Sequence, residues 1–582
     1  MKHRTRTPGG LDSVRTIPKT VTLDTVSPRS KMAPNNSKYS STRYHDPSVR
    51  EFFSFEEVVL KGLASDGGLF HPHEVPDVGS RYEEWKDLSF PELAYQVMRL
   101  YIDEHEISNS ELKSIVDRSY STFRHPDTVP LETLDEQKNL HLLELFHGPT
   151  FAFKDVALQF LGNLFEFFLV RKNQNLKAGE PRHHLTVIGA TSGDTGSAAI
   201  YGLRGKKDVS IFIMFPDGKV SPVQEAQMTT VLDPNVHCLS VQGTFDDCQD
   251  YVKALFADPE MNKIHHLAAV NSINWARILA QITYYFYAYF QLIKKNPSVR
   301  KAKFVVPTGN FGDILAGYYA LRMGLPIAKL IIATNENDIL HRFWQTGSYS
   351  KKQKPAAEPH EGIKQDGAQA HEDGVKETYS PAMDILVSSN FERLLWHLCL
   401  EREREVNPNT KFEESVRVAG GKINGWFHEL KTTGSFTVDK EILAKARAIF
   451  GTHRVSNPET LDAIRSCYRG EAISKKGYVL DPHSAIGVAA SLREIEAADQ
   501  TGGIPTVSLA TAHPAKFAGA VELALKDEKD FDFNSVLPEQ FVGLADKERR
   551  VLKVSSHEGL PGIRQIITRE VEKEKVLGQN GA

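Results

Sequence analysis

Residues 147–155 read His-Gly-Pro-Thr-Phe-Ala-Phe-Lys-Asp and lead into an apolar run with helical spacing. The lysine of this stretch, Lys154, lies beside Phe151 and Phe153, where an ammonium group loses part of its hydration. Partial desolvation favours the neutral amine, which is the form that attacks a carbonyl carbon to give a Schiff base. Taken alone, the stretch is better explained by a lysine that extends past two aromatic rings into water. The motifs further along the chain favour a chemical role.

Beyond residue 138, short apolar runs alternate with helical segments. This alternation predicts an α/β protein with an open, mostly parallel sheet that is covered on both faces. Ligands bind such sheets at the carboxyl ends of the strands, so we expect functional residues in the loops that follow the apolar runs. The predicted strands are 140–146, 185–191, 209–215, 236–241, 267–270, 304–307, 330–334 and 507–510.

The loop after the second of these strands is rich in small residues and hydroxyl groups. Residues 191–197 read Thr-Ser-Gly-Asp-Thr-Gly-Ser and run into a helix that contains alanines. A glycine-rich turn at the start of a helix presents free N–H groups and the positive end of the helix dipole, which suits a carboxylate or a phosphate. The hydroxyls of Ser192 and Thr195 would add donors, although Ser, Thr and Asp are also ordinary helix caps.

Two further loops carry the same kind of signal. Residues 307–313 read Pro-Thr-Gly-Asn-Phe-Gly-Asp between a strand and a helix, and their glycines let backbone N–H groups close on an anion. They match no nucleotide-binding glycine motif, so nucleotide phosphates are not the favoured ligand. Asn271 and Ser272 at a strand end, with Arg277 on the first turn of the next helix, form a donor set that matches a phosphate ester. Alternatively, Arg277 pairs with a surface acid.

Together these features favour a cofactor. One phosphate pocket would anchor the cofactor and a second would hold a substrate, and a Schiff-base lysine beside a cofactor phosphate points to pyridoxal phosphate. The pyridine nitrogen of that cofactor needs a partner, and a neutral hydroxyl group there would limit its protonation. The candidates, at the end of the last predicted strand, are Ser508, Thr511 and His513.

Five motifs resemble, in order and over most of residues 50–535, those of the threonine synthase family. They lie at 147–155, 192–196, 271–277, 309–313 and 510–514. The resemblance implies the α/β fold of the fold-type II pyridoxal-phosphate enzymes, which is tryptophan synthase β-like. Such a fold has two open, mostly parallel α/β lobes, here with an additional N-terminal module.

The resemblance also implies a role for each site residue. Lys154 would hold pyridoxal phosphate as a Schiff base, and Thr511 would contact the pyridine nitrogen. The residues that would cradle the cofactor phosphate are Gly309, Asn310, Phe311, Gly312 and Asp313. Those that would bind the substrate are Ser192, Gly193, Asp194 and Thr195 near its carboxylate and the cofactor ring, and Asn271, Ser272 and Arg277 at its phosphate.

The family reaction converts O-phospho-L-homoserine and water to L-threonine and inorganic phosphate, the last step of threonine biosynthesis. Lys154 would move protons at Cα and Cβ while phosphate leaves Cγ and water adds at Cβ. A phospho-lyase or a hydroxy-amino-acid dehydratase of the same fold is an alternative. An alternative from another class is a non-catalytic phosphate- or nucleotide-binding protein in which Lys154 is only a phosphate contact.

The neighbour of Lys154, Asp155, lies at the start of the predicted helix and is expected to cap it.

The composition is ordinary for a soluble globular protein, with 41% apolar and 25% charged residues and a net charge of -4 over 582 residues. A nucleic-acid partner is therefore not expected. The sequence has no obvious regulatory module, which favours an unregulated monomer or homodimer. Four scattered cysteines predict neither a disulfide framework nor a metal site, and instead reduced, buried thiols in a cytoplasmic protein. The most apolar run, 278–293, contains two glutamines and has charged flanks, which predicts a buried helix rather than a membrane span.

The chain divides into four predicted segments. They are a disordered basic leader at 1–40, a mostly helical N-terminal module at 41–135, a catalytic core at 136–535 with a smaller lobe at roughly 180–300, and a tail of mixed structure at 536–582.

Three stretches within these segments depart from the family pattern. Residues 1–31 suit an organellar transit peptide about as well as a disordered leader, and Met32 is a possible alternative start. Residues 350–377 hold hardly any large apolar residue and predict a disordered surface insertion. Residues 401–418 are charged and could form a solvated helix. None of the three touches a motif.

Overall fold

The computed structural model describes residues 39–177, 180–351, 369–370, 374–497 and 503–580. They belong to one compact unit that spans residues 37–582. The expectations for the basic leader up to residue 38, and for most of the insertion at 350–377, fall outside the described residues. For the described ends they are wrong: Tyr39 and Ser40 are buried in a strand, and residues 369–370 pair with 376–377 as antiparallel strands.

The N-terminal segment is mostly helical, as the spacing of its apolar residues predicts. Ser54 and Ser108 begin two of its helices with capping boxes, in which the serine and a glutamate three residues later satisfy each other's backbone N–H groups. The first helix ends at Lys61, so Leu63 lies beyond it and is exposed rather than part of its apolar face. The elements are β1 (Tyr39–Ser41), α1 (Phe55–Lys61), β2 (Phe70–Pro72), α2 (Phe90–Arg99) and α3 (Asn109–Tyr120).

The next part of the chain alternates strands and helices, and all of the strands predicted there are present. The run at 267–270 is the shortest of them, because only two of its residues pair in a sheet. The elements are β3 (Leu131–Asp135), β4 (Leu140–Glu144), α4 (Lys154–Asn173), β5 (Leu185–Ala190), α5 (Asp194–Leu203), β6 (Val209–Pro216), α6 (Pro222–Thr229), β7 (Val236–Val241), α7 (Phe245–Phe256), α8 (Pro259–His265), β8 (Leu267–Ala268), α9 (Trp275–Lys295), β9 (Ala302–Pro307), α10 (Gly312–Arg322), β10 (Ile327–Thr334) and α11 (Ile339–Thr346).

The last part of the chain is more helical. The charged stretch at 401–418 forms the end of one helix and the start of another, which confirms its helical interpretation. The elements are β11 (Ser348–Ser350), β12 (Gln369–Ala370), β13 (Lys376–Glu377), α12 (Phe391–Val406), α13 (Phe412–Thr432), β14 (Ser435–Thr437), α14 (Lys440–Ile449), β15 (Phe450–Arg454), α15 (Asn457–Arg469), α16 (Pro482–Ala497), β16 (Thr506–Ala510), α17 (Ala518–Leu525), β17 (Leu552–Val554) and α18 (Gly559–Asn580).

The larger sheet has the strand order β15-β10-β9-β16-β4-β3. All its neighbouring strands are parallel except β3, which is antiparallel to β4. The open, mostly parallel sheet expected from the sequence is therefore confirmed. The order makes β9, β16 and β4 direct neighbours, so the loops that follow these strands leave the sheet side by side. The edge strand β15 escapes prediction from the sequence, because four of its five residues are only partly buried.

The smaller sheet has the order β17-β7-β6-β5-β8 and is parallel throughout its described strands. Its edge strand β17 comes from the C-terminal tail, which has the mixed structure expected of it. Ile563, Ile567 and Val571 of α18 pack in a buried cluster with residues of this sheet. The tail is thus part of the core that covers the smaller sheet.

Helix α9 is buried along most of its length, as the apolar run at 278–293 predicts. Within the described parts of the chain, no helix combines the length and the apolarity needed to cross a membrane. The four cysteines are buried and none forms a disulfide.

Helices α4 and α5 cross at two glycines. A Cβ atom on Gly162 would lie 1.9 Å from the carbonyl oxygen of Gly202, and one on Gly202 would lie 2.5 Å from the carbonyl oxygen of Leu158. The helices can approach this closely only because neither glycine has a side chain. Because α4 begins with Lys154 and α5 begins with Asp194, this crossing fixes the distance between the two charged residues.

We expect Gly162→Ala to destabilise the protein by about 1–3 kcal/mol, since the added methyl group forces the two helices apart. Urea unfolding followed by circular dichroism measures the change. Gly425→Ala is the matched control, because Gly425 lies in α13, where an added methyl group would meet open space with no neighbour within 4 Å. That control should be neutral or stabilising by up to about 1 kcal/mol. Equal stability of Gly162→Ala and the unchanged protein would contradict the crossing argument.

Candidate active site

The loops at the carboxyl ends of neighbouring strands meet at one place. The loop after β4 is joined to the loop after β16 by two backbone hydrogen bonds: Phe153 N–H donates to the carbonyl of Thr511 at 2.8 Å, and His513 N–H donates to the carbonyl of Phe151 at 3.1 Å. Lys154, the residue after Phe153, reaches the start of α5, which is the helix that follows β5 of the smaller sheet. Its Nζ lies 3.8 Å from Asp194 Oδ2. The site therefore lies between the two sheets, at the strand ends where sequence reasoning expects it.

Lys154 is the first residue of α4, and its side chain is 10% exposed. The ring of Phe153 lies 5.9 Å from its Nζ, whereas the ring of Phe151 packs on Arg124, His513 and Phe541 instead. The expectation that both rings surround the amine is therefore correct for Phe153 only. Asp155 accepts hydrogen bonds from the N–H and the hydroxyl of Thr150, both at 2.7 Å. The expectation that it caps a helix is wrong, because Thr150 precedes α4 and the N-cap position, Phe153, has no side-chain cap bond.

Asp194 is shared by two lysines. Lys154 approaches its Oδ2, and Lys516 lies 3.1 Å from its Oδ1 with a side chain that is completely buried. Gln224 donates to the same Oδ1 at 2.9 Å. Sequence reasoning misses Lys516, because a single lysine after a proline carries no pattern that separates it from a surface charge.

These charges shift the pKa values of the pair. Burial lowers the pKa of Lys154 to about 8, with Asp194 acting in the opposite direction and Lys516 and Arg277 lowering it further. Burial alone would raise the pKa of Asp194, but the ammonium groups of Lys516 and Lys154 lower it well below its usual value. Near neutral pH the site therefore holds a carboxylate beside an amine that loses its proton readily.

The loop between β9 and α10 presents backbone donors. Among the described residues, the N–H groups of Gly309, Asn310, Phe311 and Gly312 have no hydrogen-bond partner. Phe311 has a φ of 64°, which is costly for a residue with a bulky side chain, and its ring packs on Trp344, Phe391 and Phe450.

The carboxylate of Asp313 has a different environment from the one expected of a cofactor contact. Its Oδ1 accepts hydrogen bonds from the hydroxyls of Tyr284 and Tyr285 at 2.5 and 2.9 Å, and burial raises its pKa to about 6. The side chain is thus held by tyrosines of α9. Any contact of Asp313 with an anion falls to its backbone N–H at the start of α10.

Arg277 lies in the first turn of α9 and is 4% exposed. Its Nη1 donates to the carbonyl of Val270 at 2.8 Å, and its Nε has no partner. No carboxylate lies within 4 Å of it in the part of the chain that the structure describes, so the alternative of a surface ion pair is wrong. Burial lowers the pKa of Arg277 to about 10. A buried guanidinium without an acidic partner suits an anionic ligand.

The side chains near Arg277 and at the start of α5 remain available. Asn271 is exposed and Ser272 is half-buried, and neither side chain has a partner among the described residues. The same is true of the exposed Ser192 and the half-buried Thr195. All four can therefore meet a ligand.

The backbone of the 191–195 loop is fixed from inside. Thr191 Oγ1 accepts from the N–H groups of Gly193 and Gly196 at 2.9 and 2.8 Å. Gly193 has a φ of 140°, and a Cβ atom there would lie 2.2 Å from Gln224 Oε1. Only glycine fits this position, so the role of Gly193 is to shape the loop.

Of the three hydroxyl or imidazole candidates, Thr511 is buried, with 6% of its surface exposed. Its backbone is fixed by Ser484 Oγ, which accepts from its N–H at 3.1 Å, while its own hydroxyl has no partner among the described residues. Ser508 is wholly buried against Gly487 of α16. His513 accepts from the N–H of Ala515 through Nδ1, and burial lowers its pKa to about 4.

Asn390 links two of the loops. Its Nδ2 donates to the carbonyl of Asn310 at 3.0 Å and to the carbonyl of Ser272 at 3.1 Å, and its Oδ1 accepts from Arg393. Arg393 in turn donates to the carbonyls of Ile273 and Phe70. Asn390 and Arg393 thus tie the loop at 309–312 to the loop that precedes Arg277. Sequence reasoning misses both residues, because their partners lie far apart in the chain.

The arrangement fits a phosphorylated aldehyde cofactor. The unpaired N–H groups at the start of α10 can hold a phosphate, and the amine of Lys154 is positioned to react with an aldehyde. The unpaired Arg277 offers a second anion site, which a substrate phosphate could occupy. In the described residues no group of three or more His, Cys, Asp or Glu side chains could hold a metal ion.

Comparisons with known proteins agree with this chemistry. Three family models match: Threonine synthase N terminus at residues 38–120, Pyridoxal-phosphate dependent enzyme at 125–387 and Threonine synthase, C-terminal at 484–567. The threonine synthase of Schizosaccharomyces pombe is 57% identical over 525 residues, which cover 90% of this chain and 97% of that protein.

Two solved structures are similar over nearly their whole length. The crystal structure of threonine synthase from yeast has a TM-score of 0.83 and 51% identity, and covers 92% of this chain and 99% of that chain. The crystal structure of PLP-bound threonine synthase from Brucella melitensis has a TM-score of 0.76 and 39% identity, with the same shares of 92% and 99%.

We expect Asn390→Ala to weaken the site from its supporting side. The substitution removes the Oδ1 acceptor of Arg393 Nη1 and the Nδ2 donor to the carbonyls of Ser272 and Asn310, of which only the Asn310 carbonyl keeps a backbone donor. This loss costs about 1–3 kcal/mol of stability. Urea unfolding measures this loss, and inorganic phosphate should protect the variant less than the unchanged protein. Asn407→Ala, at the exposed end of α12, is the control and should change neither quantity. A variant as stable and as well protected as the control would disprove the linking role of Asn390.

Proposed function

The chain belongs to the threonine synthase family of pyridoxal-phosphate enzymes, and from that premise we propose that it converts O-phospho-L-homoserine and water to L-threonine and inorganic phosphate. The observation that carries the proposal is the buried amine of Lys154, with its lowered pKa, beside two separate sets of unpaired anion donors. One set suits the cofactor and the other suits the phosphate of the substrate.

The residues that would hold the cofactor are on three loops. Lys154 would bind its aldehyde carbon, the N–H groups at 309–313 would bind its phosphate, and the hydroxyl of Thr511 would meet its ring nitrogen. When bound, pyridoxal phosphate supplies a ring that accepts the electron pair released at the substrate Cα. A neutral hydroxyl beside the ring nitrogen limits the protonation of that nitrogen.

The same site binds and orients the substrate. Arg277, with Asn271 and Ser272, would hold the phosphate that leaves from Cγ, and the guanidinium stabilises the charge that develops on it. The N–H groups and hydroxyls at 192–195 would hold the substrate carboxylate.

Lys154 is proposed to move the protons. With substrate bound, the free amine of Lys154 would be positioned to take protons from the substrate Cα and Cβ, and phosphate would leave from Cγ. The amine would then return one proton to Cγ, which becomes the methyl group, and one to Cα. A pKa near 8 lets the same group act as base and as acid near neutral pH. Water then adds at Cβ, and its proton returns to the amine.

A phospho-lyase or hydroxy-amino-acid dehydratase of the same fold is the second candidate. A dehydratase substrate has no phosphate, so it would leave the buried Arg277 without a counter-ion.

The division into a module at 41–135, a core at 136–535 and a tail at 536–582 is also proposed. The enzyme is further proposed to be a monomer or homodimer in the cytoplasm that acts on a small molecule. The family-model boundaries at 120–125 support the first division.

Purified protein given O-phospho-L-homoserine should release phosphate and form threonine in equal amounts. Lys154→Ala should lose turnover and the visible absorbance of the bound cofactor, because no other amine is placed to hold it. Colorimetric phosphate detection and amino-acid analysis make the measurement. Phosphate release with 2-oxobutyrate in place of threonine would assign the chain to the phospho-lyases, and a colourless protein without turnover would exclude the enzyme.

Arg277→Met should lower kcat/KM for O-phospho-L-homoserine about 10- to 100-fold, mainly through KM, since it removes a charged hydrogen-bond donor from the phosphate. The absorbance of the bound cofactor should persist, because the cofactor lies on other loops. Arg118→Met on the exposed face of α3 is the control and should leave kcat/KM unchanged. Unaltered kinetics in Arg277→Met would place the substrate phosphate elsewhere.

A further inference from the structure

Lys516 is a buried lysine that the proposed mechanism does not use. It lies in the 3₁₀ turn Pro514–Phe517 after β16, and its side chain has no exposed surface. Its Nζ donates to the carbonyl of Thr150 at 2.8 Å and to Ser197 Oγ at 3.4 Å, and lies 3.1 Å from Asp194 Oδ1. Three acceptors thus surround one ammonium group.

Burying this ammonium group lowers the stability of the fold, and a role in the site would explain why the cost is tolerated. An ammonium group removed from water loses its hydration, and Asp194 already has Lys154 and Gln224 as partners. Two lysines therefore share one carboxylate, each on its own oxygen. A carboxylate paired with Lys154 alone would hold the proton on that amine, whereas the reaction needs the amine without it.

We infer that Lys516 is a positioning residue that pairs with Oδ1 of Asp194 and so prevents this carboxylate from holding Lys154 as an ammonium ion. The inference rests on the proposed role of Lys154 as the amine that binds the cofactor aldehyde. Lys516 itself contacts neither the cofactor loop at 309–313 nor Arg277 in the described structure; it acts through Asp194.

The charged groups around Lys154 determine the sign of the effect. They are Asp155 on its own helix, Asp194 on α5, Arg277 on α9 and Lys516 after β16, and His483 on α16 faces Asp194. Asp194 raises the pKa of Lys154, and Lys516 and Arg277 lower it. Loss of the Lys516 charge removes a lowering contribution and leaves Asp194 uncompensated, so the pKa of Lys154 rises. The amine then becomes reactive only at higher pH.

Cofactor capture by the apo-protein tests this inference without an activity assay. Apo-protein is mixed with pyridoxal phosphate over a range of pH, reduced with borohydride and digested, and the modified Lys154 peptide is quantified by mass spectrometry. The midpoint of modification in the unchanged protein is the reference value. In Lys516→Met it should move upward by about one pH unit or more. The titration of free pyridoxal phosphate is common to all samples and cancels in the comparison.

Three further variants separate charge from structure. Lys516→Arg keeps the charge and should keep the midpoint close to that of the unchanged protein. Lys206→Met removes a partly buried lysine that pairs with Glu166 away from the site, and should leave the midpoint unchanged. The double variant Asp194→Asn with Lys516→Met removes both charges of the buried pair, so its midpoint should fall below that of Lys516→Met. If the single variant fails to fold, the double variant avoids its unpaired Asp194 carboxylate, and Lys154 can lose its proton there.

The outcomes distinguish this inference from the proposed function. If Lys154 is modified in every variant with the same midpoint, or if the double variant is shifted as far upward as Lys516→Met, the positioning role is wrong while the proposed function stands. If Lys154 is not modified even in the unchanged protein, the proposed function fails and the inference fails with it. An upward shift in Lys516→Met that the double variant reverses supports the inference.

Discussion

The carboxylate of Asp194, shared between two buried lysines, is the interaction on which the site depends. It joins α5 of the smaller sheet to α4 of the larger one through Lys154, and to the loop after β16 through Lys516. Isolated, any of these charges would be expensive to bury. Together with Gln224 and Thr150 as further hydrogen-bond partners, these charged groups fix the positions of α4, α5 and the loop after β16 around the amine of Lys154.

Two strained residues show how closely the loops are constrained. Phe151 and Phe311 have φ values of 61° and 64°, in the left-handed region that bulky residues rarely adopt. Each ring packs tightly, the first under the guanidinium of Arg124 at 4.0 Å and the second among the aromatic residues of α11, α12 and β15. Packing of the two rings thus stabilises backbone turns that expose the amine on one side and a row of N–H groups on the other.

The parts of this site that lie within one short stretch of the chain can be predicted from the sequence. The parts that the fold brings together from distant stretches cannot. Apolar runs of four to eight residues are enough to find buried parallel strands, and glycine-rich turns after them are enough to find the anion loops. The half-polar edge strand β15 and the tail strand β17 lack such runs. Lys516 and Asn390 act through partners distant in sequence, so no spacing reveals them. The sequence alone cannot choose between Thr511 and Ser508. The structure can, because Gly487 of α16 lies against the hydroxyl of Ser508, whereas the hydroxyl of Thr511 has no partner among the described residues.

The balance of charge in the site follows from the same geometry. Lys154, Lys516 and Arg277 bring three basic groups to a buried region that the carboxylate of Asp194 faces, and Asp155, which is held by Thr150, also acts on Lys154. The row of unpaired N–H groups adds further positive potential. Such an excess of positive charge costs stability while the ligands are absent, and the cost is smallest when two phosphates and a carboxylate are bound. Ligand binding should therefore stabilise the fold by mass action.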